Sequence, residues 1–531
     1  MPRRADYIRG VQYQSMKHIL LSLSVFIVIR LSAFAQPGTL DMTFNSIGYQ
    51  TAGFGNYDDN GNAVAIQDDS KIVVAGETST GTDFDIAVMR FNADGSVDET
   101  FANNGRATVN LGHLYDTGKS VAIQDDGKIV VAGSFLSVGY GFKMCAVRFN
   151  SDGTLDNTFA SNGVDSIVAG SGSCQANAVA LQDDGKIVLA GSSTDGYNLD
   201  FTIVRLNADG SLDNNFGTGG IEIFSIANAD DYANGVAIQN DGKIVATGKS
   251  GNNPDVAVIR LNEDGTPDNS FSSDGKLTTN VNGNDNSFAV AIQSDDKIVV
   301  CGEAYDGVTY DISVLRYTSS GGLDISFSGD GKATFAIGST YEGGYDVEIQ
   351  QDGKILVCGK TATTSAADNV ALIRLKTDGT LDAGFGSNGK VSTDIAGYGD
   401  ASFGMALQDD GNIVLAGFSN NGVNNDFLVL RYVAGLGVGI TQPDIENVSL
   451  RLYPNPVTDQ VILCYTLQKS QPVSVTLEDV TGRVIQILAN HEMRTAGKHD
   501  EVISICSSLC NGTYVLRFQT GDVIAAVPFV Y

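Results

Sequence analysis

The chain has 531 residues and a formal net charge of −29, with 42% hydrophobic residues, 62 glycines and no tryptophan. This composition is typical of many short strands joined by Gly and Asp turns, and it argues against a disordered chain or a helical array. Counting charged side chains places −32 in residues 36–446, so we expect no nucleic acid or bare anionic membrane as a partner, because an acidic surface repels both.

The N-terminus has the layout of a cleavable secretory signal. Basic residues precede an apolar run at residues 19–29, and Ala35 ends an Ala-Phe-Ala triplet just before Gln36. This order predicts a signal peptide over residues 1–35, cut between Ala35 and Gln36. The apolar run is too short to span a bilayer comfortably, so we expect no transmembrane span in the mature chain.

The next part of the chain repeats itself. Residues 124–133 read Gln-Asp-Asp-Gly-Lys-Ile-Val-Val-Ala-Gly, and close copies begin at Gln67, Gln124, Gln182, Gln239, Gln293, Gln350 and Gln408. An Asp-Gly turn followed by a β-branched run predicts a tight hairpin corner that leads into a buried strand. Each of the seven units opens with a Leu-Asp-x-x-Phe element, the first at residues 40–44.

Four short strand patterns per unit predict a propeller blade, which is a small twisted sheet that buries both faces against its neighbours. We therefore predict an all-β protein in which residues 36–433 form a seven-bladed β-propeller. An open array of small sheets is the alternative. The repeat pattern leaves open whether one blade is completed by strands from both ends of the region.

One arginine recurs in every unit, and five units carry an aspartate five residues before it. The arginines are Arg90, Arg148, Arg205, Arg260, Arg316, Arg374 and Arg431, and the aspartates are Asp85, Asp200, Asp255, Asp311 and Asp426. A catalytic site needs one special place, whereas these residues repeat. A buried guanidinium must be paired, so we predict a structural ion pair between blades, with the aspartate of the Leu-Asp-x-x-Phe element, such as Asp98, Asp156 or Asp213, as a further candidate partner. Anion binding by seven arginines in a central channel is the alternative.

The turn at residues 92–98 superficially resembles an oxygen-rich calcium loop, but it lacks the spacing and the terminal Glu of an EF-hand loop. An Asp-Gly turn with its own hydrogen bonds explains it more simply, so we expect no cofactor and keep calcium as the alternative. Only His113, His491 and His499 follow the signal, which excludes a His-based triad or multi-His metal site in the propeller. Paired carboxylates stay open, and we assign no catalytic residue.

Eight tyrosines are predicted to lie in variable loops, where specificity is usually determined. They are Tyr57, Tyr115, Tyr140, Tyr197, Tyr232, Tyr305, Tyr341 and Tyr398. The leading hypothesis is a non-enzymatic propeller that binds an extracellular glycan or protein ligand. The alternatives are a secreted polysaccharide hydrolase or lyase that uses propeller-face carboxylates, and a structural surface-layer component.

Seven cysteines follow the signal at irregular spacing, which does not describe a disulfide framework. Cys301 and Cys358 hold a repeat position that is Ala in most units, so we predict that both are small core residues. Cys506 and Cys510 are close enough in sequence to pair.

From Ala434 the repeat stops, and residues 434–446 are interpreted as a flexible linker. Alternating apolar runs punctuated by glycines follow in residues 447–531. They predict a small Ig-like antiparallel β-sandwich.

Two resemblances add to this reading. The Leu-Asp-x-x-Phe and Gln-x-Asp-Gly-Lys-Ile-x-x-Ala-Gly signatures, over residues 38–432, resemble the delta-60 repeat of bacterial surface and secreted proteins. The tail is similar to the C-terminal sorting domain of the type IX (Por) secretion system of Bacteroidota. Its matching residues are Tyr453, Pro454, Asn455, Pro456, Gly482, Gly512 and Tyr514. That similarity implies Sec export, the outer-membrane translocon as a partner, and release or attachment at the cell surface.

Overall fold

The structure is a computed structural model that describes residues 36–194, 196–338, 340–364, 367–395, 397–435, 450–453, 460–467, 469–479, 483–504, 513–520 and 523–530. The predicted signal peptide, including Ala35, lies outside the described residues, and Gln36 is the first residue described. Most of the predicted linker, residues 436–446, also lies outside them. In the part of the chain that is described, no helix is long and apolar enough to cross a membrane.

All regular secondary structure of the described residues is β-strand. The strands of the repeat region are β1 (Tyr49–Ala52), β2 (Asp59–Ile66), β3 (Ile72–Ser79), β4 (Phe84–Phe91), β5 (Arg106–Val109), β6 (Asp116–Ile123), β7 (Ile129–Ser137), β8 (Gly141–Phe149), β9 (Val164–Ile167), β10 (Cys174–Leu181), β11 (Ile187–Thr194), β12 (Leu199–Leu206), β13 (Ile221–Phe224), β14 (Asp231–Ile238), β15 (Ile244–Ser250), β16 (Asp255–Leu261), β17 (Lys276–Thr279), β18 (Asp285–Ile292), β19 (Ile298–Tyr305), β20 (Tyr310–Tyr317), β21 (Lys332–Phe335), β22 (Tyr341–Ile349), β23 (Ile355–Thr364), β24 (Ala367–Leu375), β25 (Lys390–Thr393), β26 (Asp400–Leu407), β27 (Ile413–Asn420) and β28 (Asn425–Tyr432).

These strands form seven four-stranded antiparallel sheets, which confirms the predicted propeller architecture. Six sheets take four consecutive strands each, from β2–β5 to β22–β25. A single parallel bridge between Tyr310 and Tyr341 joins the fifth and sixth sheets. Each sheet is one blade. In the first six blades we call the first of the four strands the inner strand. In the seventh blade, which contains β1 and β26–β28, the inner strand is β26.

The seventh blade is completed by both ends of the repeat region. β1 pairs with β28, so that Tyr49 lies opposite Leu430, and β27 and β26 follow in the same sheet. The first Leu-Asp-x-x-Phe element joins this closure, because Leu40 forms a bridge with Tyr432. A structural blade therefore begins at its inner strand, whereas a sequence unit begins at the Leu-Asp-x-x-Phe element and spans two blades.

The hydrophobic core lies between blades. The inner strands β2, β6, β10, β14, β18, β22 and β26 contact one another in a closed cycle. Val73 of the first blade packs in one cluster with Val131 of the second. At the closing junction, Met89 of the first blade packs in one cluster with Val414 of the seventh. Because each blade buries both faces against neighbours, a single unit has no core of its own.

The repeated decapeptide forms the predicted hairpin corner. In the second blade Gln124 accepts a hydrogen bond from Gly127 N–H at 2.8 Å and donates its own N–H to Lys128 O at 2.9 Å. Gly127 has a φ of +78°, a conformation that glycine adopts without the Cβ penalty. The strand that follows is buried from Ile129 to Phe135. The Ala position of this strand is taken by Cys301 and Cys358 in two blades, and both side chains are fully buried, as predicted.

The tail strands are β29 (Leu450–Tyr453), β30 (Gln460–Leu467), β31 (Gln471–Asp479), β32 (Val484–Arg494), β33 (Gly497–Ser504), β34 (Thr513–Thr520) and β35 (Val523–Val530). They form two antiparallel sheets, ordered β29-β30-β33 and β32-β31-β34-β35. Leu463 and Tyr465 of the first sheet share one buried cluster with Val475 and Phe518 of the second. This is the small β-sandwich that the sequence predicts.

Candidate functional site

The repeated arginine links each blade to the next. In the first blade Arg90 Nε lies 2.8 Å from Asp98 Oδ2, and Nη1 donates to Gln67 Oε1 at 3.1 Å. Nη1 also donates to the backbone carbonyl of Ser151, in the turn that follows the second blade's third strand. The guanidinium lies 4.6 Å above the Phe101 ring. Arg90 therefore connects three segments: the hairpin corner at Gln67, the Leu-Asp-x-x-Phe element at Asp98 and the turn of the second blade at Ser151.

All seven units repeat this arrangement. The other pairs are Arg148–Asp156, Arg205–Asp213, Arg260–Asp268, Arg316–Asp324, Arg374–Asp382 and Arg431–Asp41, each at 2.8–2.9 Å. Each arginine also donates to a carbonyl of the following unit. Burial opposes ionisation of Asp98, but hydrogen bonds from Thr100 and the charge of Arg90 outweigh it and lower its pKa. The seven arginines are thus engaged by protein acceptors at every junction.

The aspartates five residues before the arginines lie elsewhere. Asp85 is at the start of β4 and Arg90 near its end, and five strand residues span about 17 Å. The arginine is therefore paired with the aspartate of the Leu-Asp-x-x-Phe element, and not with the one that precedes it. Burial, with further contributions from the charges of Asp83 and Asp116, raises the pKa of Asp85. Carboxyl groups of neighbouring blades thus approach one another at this end of the ring.

In the Asp-Gly turns, the aspartate carboxylate accepts hydrogen bonds from within the same turn. Asp94 Oδ1 accepts hydrogen bonds from the Ser96 backbone N–H at 3.0 Å and from its hydroxyl at 2.7 Å, and Asn92 Nδ2 donates to the same hydroxyl at 2.9 Å. The turns at Asp152, Asp209 and Asp264 share the carboxylate contacts to the residue two positions on. Among the described residues, no group of three or more His, Cys, Asp or Glu side chains is placed to hold a metal ion.

The eight tyrosines occupy one end of the ring, which we call the loop face: the end that carries the loops at residues 53–58 and 80–83 and their equivalents. Tyr57, Tyr115, Tyr140, Tyr197 and Tyr398 are exposed in these loops, as predicted. Tyr232, Tyr305 and Tyr341 instead lie in β14, β19 and β22, so the prediction of a loop was wrong for them. Tyrosine suits a half-buried strand surface, and these three residues sit at the strand ends next to the loops.

A ring of seven residues near the loop face breaks the sevenfold repetition. Every inner strand has a β-bulge, and the bulged residues, which we call the bulge ring, are Asn62, Lys119, Asn177, Asn234, Phe288, Tyr345 and Phe403. All seven are half-buried. Four consecutive members are polar and the next three are aromatic, so the ring divides into a polar arc and an aromatic arc.

The aromatic arc is a continuous row of rings. Tyr345 lies 4.8 Å from Phe288 and 5.1 Å from Phe403, measured between ring centroids, and Phe403 lies 5.9 Å from Phe418 on the second strand of the seventh blade. The interplanar angles of 37–59° place the rings at a tilt to one another. Such pairs stabilise packing, but partly exposed rings also offer apolar surface to a ligand.

The polar arc joins neighbouring inner strands by side-chain hydrogen bonds. Asn62 Nδ2 donates to Gly118 O at 2.8 Å, and Asn177 Nδ2 donates to Ala233 O at 2.8 Å. Asn234 Nδ2 donates to Ser287 O at 2.9 Å. These bonds satisfy carbonyls near the bulges, where the ladder is interrupted.

A polar cluster borders the aromatic arc. The Tyr341 hydroxyl donates to Glu303, and lies 3.4 Å from the Tyr345 hydroxyl. Lys360 Nζ lies 4.9 Å above the Tyr341 ring and 2.9 Å from Asp368 Oδ2. Burial raises the pKa of Glu303, and burial also raises the pKa of Tyr345 to about 12, so this phenol is protonated at neutral pH.

The sixth blade carries two further carboxyl groups that the repeat does not predict. Glu348 stands where the other six inner strands have Ala, and Asp346 stands at a position that is Ala, Ser or Gly elsewhere. Asp346 accepts the Met405 N–H of the seventh blade at 2.7 Å and the Val347 N–H at 2.8 Å. Burial raises the pKa of Asp346 to about 7 and that of Glu348 to about 8. Departures from the repeat consensus are the sequence signal that would have found these residues and the aromatic arc.

Two open grooves follow the outer strands. One of about 790 Å³ runs along β5, and one of about 460 Å³ runs along β9. Because both lie at an edge strand that recurs in the other blades, they reflect the repeated architecture. The bulge ring is the asymmetric feature, and we regard it as the candidate site.

The predicted sorting-domain residues are only partly described. Tyr453 is the last residue of β29, and Tyr514 in β34 packs against the buried cluster of the sandwich. Pro454, Asn455, Pro456, Gly482 and Gly512 lie outside the described residues, as do Cys506 and Cys510.

Comparison with known families supports both parts of this organisation. The family described as "Domain of unknown function (DUF5122) beta-propeller" matches residues 67–101, 124–159, 182–216, 239–271, 293–327 and 350–385. The secretion system C-terminal sorting domain, Por_Secre_tail, matches residues 451–527. No curated protein matches the sequence.

Solved structures share only a distant likeness. Sqt1 from Chaetomium thermophilum is 12% identical with a TM-score of 0.39, over 78% of this chain and 97% of that one. A Lactobacillus plantarum protein is 11% identical with a TM-score of 0.38, over 81% and 99%. A PL25 ulvan lyase is 14% identical with a TM-score of 0.29, over 78% and 93%. Likenesses this low say nothing about function.

The sorting domain indicates export by type IX secretion to the cell surface or the extracellular space. The chain is a protein of DUF5122 β-propeller repeats that ends in a Por secretion-system C-terminal sorting domain.

Proposed function

We propose that the propeller is a non-enzymatic recognition module that binds an extracellular ligand at the bulge ring. The observation that carries this proposal is the division of the ring into a polar and an aromatic arc. The Arg–Asp pairs recur at every junction and serve the fold, whereas the aromatic arc occurs once. A single partly exposed aromatic row with polar groups beside it is the usual composition of a ligand site, and loops on the same face add side chains for specificity.

The site has polar groups positioned for orientation. Tyr341 and Glu303 form a hydrogen-bonded pair beside the aromatic arc, and Lys360 is held over the Tyr341 ring. Because each group already has a protein partner, it is held in place before a ligand arrives. Held groups lose less conformational entropy on binding.

The test is a binding screen of the purified mature protein against immobilised glycans and peptides. Tyr345→Ala and Phe403→Ala are expected to lose binding while keeping the wild-type circular dichroism spectrum. Ile325→Ala is the control, because Ile325 is exposed in the Leu-Asp-x-x-Phe element at the end of the blade opposite the loop face, and it is expected to bind normally. Full binding by both ring variants would refute the proposed site.

A polysaccharide hydrolase or lyase is the second candidate function, and Glu348 is the observation that favours it. Its raised pKa, to about 8, keeps a carboxylic acid protonated at neutral pH, as a general acid requires. The test measures released reducing ends and unsaturated products from a polysaccharide panel. Release by the wild type and its loss in Glu348→Gln would establish the enzyme, and binding without release would support the recognition module. A surface-layer role would show neither.

A further inference from the structure

The charges around the bulge ring are balanced. In each blade, one residue of the second strand pairs with the inner-strand residue two positions before the bulge. These second-strand residues are Glu77, Ser134, Ser192, Lys249, Glu303, Lys360 and Phe418. Together with Lys119 of the ring and Asp368 beside Lys360, these positions hold three lysines and three carboxylates. The surrounding repeat region carries a large negative charge, so these positions beside the bulge ring are balanced in charge within an acidic protein.

Each lysine is engaged. Lys119 Nζ lies 3.7 Å from Glu77 Oε2, and Lys360 Nζ lies 2.9 Å from Asp368 Oδ2. Lys249 Nζ lies 4.9 Å above the Tyr232 ring, and its charge also acts on Glu303. An anionic ligand would compete with these contacts and would be repelled by the chain as a whole. An uncharged ligand meets neither cost.

The two arcs offer complementary surfaces. Phe288, Tyr345 and Phe403 present apolar ring surface, and the polar arc occupies the other four inner strands. Asn62 and Asn177 use their N–H groups on neighbouring carbonyls, which leaves their amide oxygens as candidate acceptors for a hydroxyl. A pyranose has an apolar C–H face and a rim of hydroxyls, and it matches a ring of residues with one aromatic arc and one amide-bearing arc.

We infer that the ligand is an uncharged glycan, whose sugar rings stack on Tyr345 and Phe403 and whose hydroxyls are accepted by the amides of the polar arc. This inference rests on the proposed function. It makes uronate-bearing and sulfated polysaccharides poor ligands, because the part of the site that the structure describes holds no cation without a partner.

The experiment is calorimetry of the purified mature protein with neutral gluco-, manno-, galacto- and xylo-oligosaccharides, with oligogalacturonate, and with a sulfated oligosaccharide, at low and at high salt. At least one neutral oligosaccharide is expected to bind with an affinity that salt changes by less than about twofold. Tyr345→Ala and Phe403→Ala are expected to weaken it at least tenfold, about 1.4 kcal/mol, and Ile325→Ala is expected to leave it unchanged.

Glu303→Gln provides a gain-of-function arm. It removes one carboxylate between Lys249 and Lys360, so we expect it to bind oligogalacturonate more tightly than the wild type does, in a manner that weakens at high salt.

Failure of the uncharged-glycan inference can be distinguished from failure of the proposed binding site. Binding of acidic oligosaccharides alone, lost at high salt and sensitive to Tyr345→Ala, would overturn the neutral class and leave recognition at the bulge ring standing. Binding of peptides alone through the same residues would overturn the glycan and leave the site. Binding that neither ring variant affects would overturn the site itself, and with it both proposals.

Discussion

Replacement of one repeated arginine tests whether the Arg–Asp pairs hold neighbouring blades together. Arg205 Nε lies 2.9 Å from Asp213 Oδ2, and the guanidinium lies 4.6 Å above the Phe216 ring. Its Nη1 donates to Gln182 Oε1 at 3.4 Å and to the carbonyl of Glu263 in the following unit. The side chain is 4% exposed, so Arg205→Ala leaves the buried carboxylate of Asp213 without its cation.

The expected loss of stability follows from the burial of the Arg205–Asp213 pair. Removing one member of a buried ion pair costs about 3–5 kcal/mol, because the remaining charge loses its compensation. At ~2.1 cal/mol/K of unfolding entropy per residue, a region of roughly 400 residues has an unfolding entropy of about 0.8 kcal/mol/K. We therefore expect Arg205→Ala to lower the Tm of the propeller by about 4–6 °C.

Differential scanning calorimetry of the purified mature protein measures this change. Lys186→Ala is the matched control, because Lys186 pairs with Asp184 at an exposed corner of the same blade, where an ion pair contributes less than about 1 kcal/mol. The double variant Arg205→Ala, Asp213→Asn is expected to recover part of the loss, because the unpaired charge is removed as well. An unchanged Tm for Arg205→Ala, or an equal loss for Lys186→Ala, would refute the reasoning.

Three further predictions concern charge, export and processing. Asp116→Asn is expected to stabilise the protein at pH 7, because the variant does not bury a carboxylate charge. Burial raises the pKa of Asp116. The wild type therefore has its full stability below the ordinary carboxyl pKa and loses part of it as the pH rises through the pKa of the folded state. The gain from the substitution should vanish in acid, and a gain that persists there would contradict this cause. Deletion of residues 447–531 is expected to leave the protein in the periplasm, and surface labelling of intact cells that detects the truncated chain would contradict it. Mass spectrometry of the exported protein should give Gln36 as its N-terminal residue, and a start elsewhere would show that the cut after Ala35 is wrong.

The local features of the fold could be predicted because each is specified within a few residues. The Asp-Gly corner at residues 124–133 needs a glycine at Gly127, and the apolar run that begins at Ile129 marks a buried strand. Seven copies at a constant spacing, each too small to bury its own faces, predict seven blades. The sorting domain was predicted from its short motif and its alternating runs.

Contacts between residues on different elements were harder to predict from the sequence. Asp85 and Asp98 are both near Arg90 in sequence, at five and eight residues, and only the course of the chain decides between them. β4 carries Asp85 to the opposite end of the blade, whereas the bend after the strand returns Asp98 to Arg90. Tyr341 was expected in a variable loop, yet pairing with β23 extends the strand to include it.

The repeat, the all-β class, the recurring arginine and the sorting tail follow from local pattern and from periodicity. The start of a blade does not, since a periodic sequence has no preferred phase and only the pairing of β1 with β28 defines it. The bulge ring likewise forms only in the folded chain, because its members lie one unit apart in the sequence and differ in kind. A contact between residues so far apart forms only when the ring closes, and neighbouring inner strands then bring Phe288, Tyr345 and Phe403 side by side.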